Sequence, residues 1–148
     1  MSAYAIFLVA LAFCLGSCVF ALLKGGTPER IGALIILANL IATAANENLL
    51  QDQRILLTID AVTAVALLPL TLRYASVWLG VVMLLYGLQF GLHAFYFVLE
   101  RPKDALHVAI NNSNFCAILL SLGFGTVQAW RKRGRLRTPA PAPASPAP

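Results

Sequence analysis

Five long apolar stretches, separated by only a few polar residues each, take up nearly all of this 148-residue chain. Tyr4 to Leu23, Ile31 to Leu50, Ile55 to Leu72, Val77 to Leu99 and Leu106 to Trp130 are each near the length needed to cross a bilayer. A helix rising about 1.5 Å per residue needs roughly 20 residues to span a hydrocarbon core of about 30 Å. Only helices or closed barrels satisfy every backbone polar group in lipid, and the alternating pattern of barrel strands is absent. The expected fold is therefore all-α: a polytopic membrane helix bundle of about five transmembrane helices filling residues 1–137. Composition agrees, with 59% hydrophobic and 11% charged residues, far from the balance of a globular domain.

The connectors Lys24 to Arg30, Gln51 to Arg54, Arg73 to Ser76 and Glu100 to Ala105 are short, so sequence neighbours should pack as antiparallel hairpins. Gly25, Gly26 and Pro28 punctuate the first connection, Pro102 breaks the last, and Pro69 is placed to kink the third helix. The second stretch is interrupted by Asn46, Glu47 and Asn48, so its helix is expected either to tilt little or to end early. Residues 138–148 are Thr, Ser, Pro and Ala only. Such a tail buries nothing and is expected to be disordered, partly in polyproline II.

Charge gives the spans a direction. Lys24, Arg30, Arg73 and the cluster Arg131, Lys132, Arg133, Arg135 and Arg137 fall on one side, against Arg54, Arg101 and Lys103 on the other. The positive-inside rule then predicts an outer N-terminus and a cytoplasmic C-terminus. The net charge of +5 reads as a membrane-edge cluster and not as a nucleic-acid footprint. Leu15-Gly16-Ser17-Cys18 has the shape of a lipoprotein cleavage site, but no Lys or Arg precedes the apolar run. Cleavage there would also leave the basic segments outside.

Polar residues within the spans carry the functional signal. Asp60 lies inside the third span, where a carboxylate costs about 2.5 to 3.5 kcal/mol unless paired or neutral. Tyr86, Gln89, His93 and Tyr96 recur at intervals of three and four and form one stripe of the fourth helix. Gly80, Gly87 and Gly91 fall on its other side, with Gly87 and Gly91 at the spacing that admits a close helix neighbour. The fourth helix is therefore the expected centre of the bundle. Given the orientation, Glu47, Asp60, Gln89, His93, Asn111, Asn112 and Asn114 all fall in the outer half, with Asn46, Asn48 and His107. They define an expected pocket open to the outside, in which Asp60 faces His93.

Other residues invite plainer readings. Cys14, Cys18 and Cys116 lie within spans and lack zinc-type spacing, so they read as small packing residues. Tyr4, Tyr74, Trp78 and Trp130 read as interface anchors. Glu29 is either a loop partner of Arg30 or a carboxylate at a helix start. His93 and His107 differ in depth by about 4 to 5 Å at helical rise, which strains a shared haem, and no cofactor or metal is expected. Zinc-protease, nucleophile-elbow and phosphate-loop motifs are absent, so no enzymatic activity is expected.

The segments Gly-Gly-Thr-Pro-Glu-Arg-Ile-Gly-Ala and Leu-Arg-Tyr-Ala-Ser-Val-Trp-Leu resemble small multi-pass inner-membrane proteins of bacteria. The resemblance implies a location in the inner membrane and carries over no activity. Two roles follow: an accessory subunit that packs with itself or within a larger complex, or a small transporter, channel or proton-linked protein using Asp60 and His93. A reporter that works only in the cytoplasm, fused after Arg137, should be active; a silent fusion would reverse the predicted orientation.

Overall fold

The computed structural model describes the backbone of residues 3–102 and 104–137, and the side chains of residues 11–102 and 104–135. The Pro/Ala-rich segment 138–148 and the side chain of Tyr4 lie outside these described residues. Five helices follow one another: α1 (Ala3–Lys24), α2 (Thr27–Ala45) continued by a π-helical turn (Asn46–Leu50), α3 (Gln53–Tyr74), α4 (Val77–Val98) and α5 (Ala105–Arg137). Among the described residues four helical segments, Thr27–Leu50, Gln53–Tyr74, Val77–Val98 and Ala105–Arg135, are long and apolar enough to cross a membrane. The apolar segment Leu11–Lys24 of α1 is shorter.

Local chemistry explains the boundaries. A Cβ on Gly25 would sit 2.2 Å from the Ala21 carbonyl oxygen and 2.7 Å from the Glu29 Cβ, so only glycine lets α1 turn this tightly into α2. Glu29 then caps α2 by accepting a hydrogen bond from the Gly26 N–H at 2.8 Å, satisfying a donor that a helix start leaves unpaired. The second helix does not end early. Its last turn widens into a π turn, with the Gln51 N–H donating to the Asn46 carbonyl at 2.7 Å. Gln51 then reverses the chain in the left-handed region at φ 52°. The buried Asn46 locks that corner: its Nδ2 donates to the Asp52 carbonyl at 3.1 Å and its Oδ1 accepts from the Asp52 N–H. Pro69 lies within α3, which continues past it to Tyr74.

The helices close into a ring in which α1 packs on α2, α2 on α3, α3 on α4, α4 on α5 and α5 on α1. A further contact between α2 and α5 crosses the ring. The fourth helix is thus not the centre, because α2 and α5 each touch three other helices and α4 touches chiefly α3 and α5. Its glycines share this peripheral position: a Cβ on Gly80, Gly87 or Gly91 would meet nothing within 4 Å. Among the described residues no neighbouring helix uses that face.

The interior has two tiers. Cys14, Cys18, Ala33, Ile36, Leu67, Trp78, Leu79, Val82, Tyr86, Ile118, Leu119 and Leu122 form an apolar cluster toward the end that carries the α1–α2 and α3–α4 connections. Toward the opposite end the buried residues become polar: Asn39, Asn46, Asp60, Thr63, Gln89, His107 and Asn114. The exterior is apolar, with Val65, Leu72, Leu84 and Val98 all exposed. A surface so continuously apolar suits lipid and not water.

Trp78 is not an interface anchor. Only 3% of it is exposed, and its indole fills the space between Gly32 of α2 and Gly125 of α5 while its Nε1–H donates to Glu29 at 3.1 Å. The two glycines are the reason the ring fits, since a Cβ on Gly125 would lie 2.5 Å from the indole. Trp130, by contrast, is half exposed and meets the Phe20 ring edge-on. Gly125→Ala should therefore destabilise the bundle by about 1 to 3 kcal/mol through overpacking. Gly123→Ala, at a site with nothing within 4 Å, should not, and thermal unfolding in detergent distinguishes the two.

Candidate functional site

The polar tier is built around a carboxylate. Asp60 is 1% exposed and lies in the second turn of α3, so it cannot reach bulk water and must find partners on neighbouring helices. Both of its oxygens do. Oδ2 lies 2.6 Å from Nδ1 of His93, and Oδ1 accepts from the Gln89 Nε2 at 3.3 Å. Gln89 and His93 are four residues apart and share the inward face of α4.

The network extends to α5. Asn114 donates from Nδ2 to the Gln89 Oε1 at 2.9 Å and to the Leu85 carbonyl at 3.0 Å. This fixes the Gln89 amide with its nitrogen toward Asp60, so three helices orient a single carboxylate. One helical turn further along α3, Thr63 accepts from the Asn39 Nδ2 at 2.9 Å, joining α2 to α3. That second contact is neutral throughout.

Beside this network a cavity of about 260 Å³ opens at the end bearing the α2–α3 and α4–α5 connections. It is lined by Thr43, Glu47, Leu56, Gln89, His93, His107, Val108, Asn111 and Asn112. The residues expected to share a pocket therefore separate into three groups. Glu47, Gln89, His93, Asn111 and Asn112 line the cavity. Asp60 and Asn114 lie behind its wall, bonded to Gln89. Tyr86 sits in the apolar cluster, fully buried, and its hydroxyl has no hydrogen-bond partner among the described residues.

His93 is the residue common to network and cavity. Its side chain is only 9% exposed, it meets Asp60 through Nδ1, and Nε2 makes no hydrogen bond among the described residues. The His107 ring lies against it at 5.3 Å between centroids, tilted by 39°. The two rings touch each other, an arrangement unlike two imidazoles held on opposite faces of a haem. No group of three or more metal-ligating side chains occurs among the described residues.

Reading the sequence missed the mouth of this site. Tyr96 packs on His107 at 4.6 Å between centroids and donates its hydroxyl hydrogen to Asp104 at 2.7 Å. Asp104 also caps α5 by accepting from the His107 N–H at 2.8 Å. The signal was present, since an Asp immediately before an apolar helical run is a helix-start pattern. The N–H of His107, and then the Tyr96 hydroxyl, hold the Asp104 carboxyl below its ordinary value.

A depressed carboxyl contributes stability that is fully present above its unfolded value, about 3.9, and is lost as pH falls through its folded value. Asp104→Asn keeps a capping side chain and cannot titrate. The wild-type advantage in melting temperature over this variant should therefore shrink as pH is lowered from about 5 to about 2; parallel curves would show that Asp104 contributes no such pH dependence. Comparison of the chain with protein-family models, curated proteins and solved structures finds no match.

Proposed function

We propose that this is a five-span protein of the bacterial inner membrane, with the N-terminus outside, that binds and releases a proton at the Asp60–His93 pair. The observation that carries this reading is the 2.6 Å contact between a buried carboxylate and an imidazole that also lines an open cavity. Interhelical glue does not require it. The Asn39–Thr63 bond already shows how this bundle joins helices with neutral groups, whereas an ionisable residue within a membrane is costly and commonly marks a proton pathway or a binding site.

The chemistry is simple. When Nδ1–H of a neutral imidazole donates to Asp60, the lone pair on Nε2 can take a proton from water in the cavity. The resulting imidazolium remains beside the Asp60 carboxyl group. The charge asymmetry of the connectors supports placing this cavity on the outer side.

A second reading is favoured by the open glycine face of α4, where nothing among the described residues covers Gly80, Gly87 or Gly91. In that reading the protein is an accessory subunit and this face receives a helix of another copy or of a larger complex. One experiment separates the two. In liposomes containing the purified protein and a trapped pH dye, an imposed potential should drive proton entry. Asp60→Asn and His93→Ala should each reduce that flux at least about tenfold, the scale expected for losing an essential proton carrier. Gly87→Leu, at an open site, should leave it intact. The opposite pattern would favour the subunit.

A further inference from the structure

The end of α5 carries a recess far from the Asp60–His93 pair. At 33 residues this helix runs about 50 Å at helical rise, well beyond a hydrocarbon core of about 30 Å. Trp130, half exposed where it meets Phe20, suits the membrane edge, so the residues after it stand at headgroup level. Arg133 is tied back to the bundle by donating to the Lys24 carbonyl. That contact sets the rotation of the helix end and turns Arg131, Lys132 and Arg135 outward, where all three are exposed. With Gln128 they line a recess of about 440 Å³.

This positive charge has no counterpart at its own end of the bundle. Of the six acidic residues in the chain only Glu29 belongs to that end, and it is buried and bonded to Gly26 and Trp78. Residues 138–148 have no charged side chain, so the balance does not depend on where they lie. Arg131, Lys132 and Arg135 make no ion pair or hydrogen bond among the described residues. A second feature lies on the same stripe. Leu120, Phe124, Gln128, Arg131 and Arg135 follow at intervals of four, four, three and four, which keeps them on one face. Leu120 is 62% and Phe124 56% exposed. Over roughly 22 Å the face passes from apolar through an amide to cationic, the order in which a phospholipid presents its acyl chain, ester region and phosphate.

We propose that this face binds an anionic phospholipid bearing two phosphate groups, with an acyl chain along Leu120 and Phe124 and the phosphates against Arg131, Lys132 and Arg135. Arg131 and Arg135 stand one turn apart, about 6 Å along the axis. They offer two guanidinium forks, the geometry that suits phosphate oxygens, and Lys132 adds a point charge beside them. A lipid with one phosphate fills one fork and leaves the other unneutralised. A free anion gains nothing from the apolar half of the stripe. The inference rests on the membrane location of the chain and is independent of the proton-binding reading of Asp60 and His93.

Native mass spectrometry of the purified full chain in detergent, titrated with cardiolipin, phosphatidylglycerol or phosphatidylcholine, tests the proposal. Cardiolipin should bind at least about tenfold more tightly than phosphatidylglycerol supplied at equal phosphate, and phosphatidylcholine should not compete. Arg131→Gln and Arg135→Gln should each weaken cardiolipin binding about fivefold, the scale of one basic group near an anionic surface. Arg73→Gln, which removes an exposed cation at the same end but off this face, should change nothing. Equal affinity for the two anionic lipids would overturn the proposal by showing charge attraction without a site. Displacement of cardiolipin by equimolar pyrophosphate would overturn it by showing a soluble-anion site, and an Arg73→Gln effect as large as that of Arg131→Gln would show that position on the helix does not matter. Release of the chain from membranes by alkaline carbonate would remove the membrane location and the lipid site together. Unselective binding by a chain that resists carbonate removes the lipid site alone.

Discussion

A carboxylate with no route to water sets the terms for half of this molecule. Asp60 can be tolerated within the bundle only if both oxygens are met by hydrogen-bond donors, and those donors come from α4, one of them held in turn by Asn114 of α5. Each member fixes the next. Losing Asn114 would free the Gln89 amide to rotate, and a rotated amide would aim its oxygen at the carboxylate. The chain of bonds therefore sets the relative depth of three helices, which apolar packing alone specifies weakly because lipid is as apolar as a leucine core.

The other tier is held by a different device around a second buried carboxylate. Glu29 caps α2 and accepts from Trp78, and the indole is clamped between backbone surfaces that only glycine leaves free at positions 32 and 125. Both partners of Glu29 are groups that do not titrate near neutrality, an amide and an indole N–H. Its surroundings are thus fixed in charge as well as in shape. Asp60 differs in having an imidazole as partner, so the two buried carboxylates of one small bundle sit in contrasting surroundings.

How much of this was visible in the sequence depends on whether a signal is local. The five helices follow from runs of apolar residues, and the conjunction of Asp60, Gln89, His93 and Asn114 follows from helical spacing plus antiparallel connections, which fix depth. Rotation about each helix axis is not fixed in this way. The position of α4 at the edge of the ring, and hence the outward turn of Gly87 and Gly91, depends on which pairs of helices close the ring. Trp78 resembled an interface anchor because its height near a helix end is legible and its direction is not. The second helix ran on past Ala45 because its terminator is Gln51 in a left-handed conformation, where glycine or asparagine would have given the usual mark. Thr63 carried no signal, since threonine is unremarkable in any apolar helix.

The two sides of α3 are unequally secured. Toward α4 the helix is bound by the carboxylate network. Toward α2 it borders an apolar groove of about 420 Å³, bounded by the small side chains Ala38, Ala42 and Ala66 and bridged at depth by the Asn39–Thr63 bond. Close packing resists displacement, and a groove of this size offers little of it. The helix is thus tied on both flanks by polar bonds of different kinds, a carboxylate network toward α4 and the neutral Asn39–Thr63 bond toward α2.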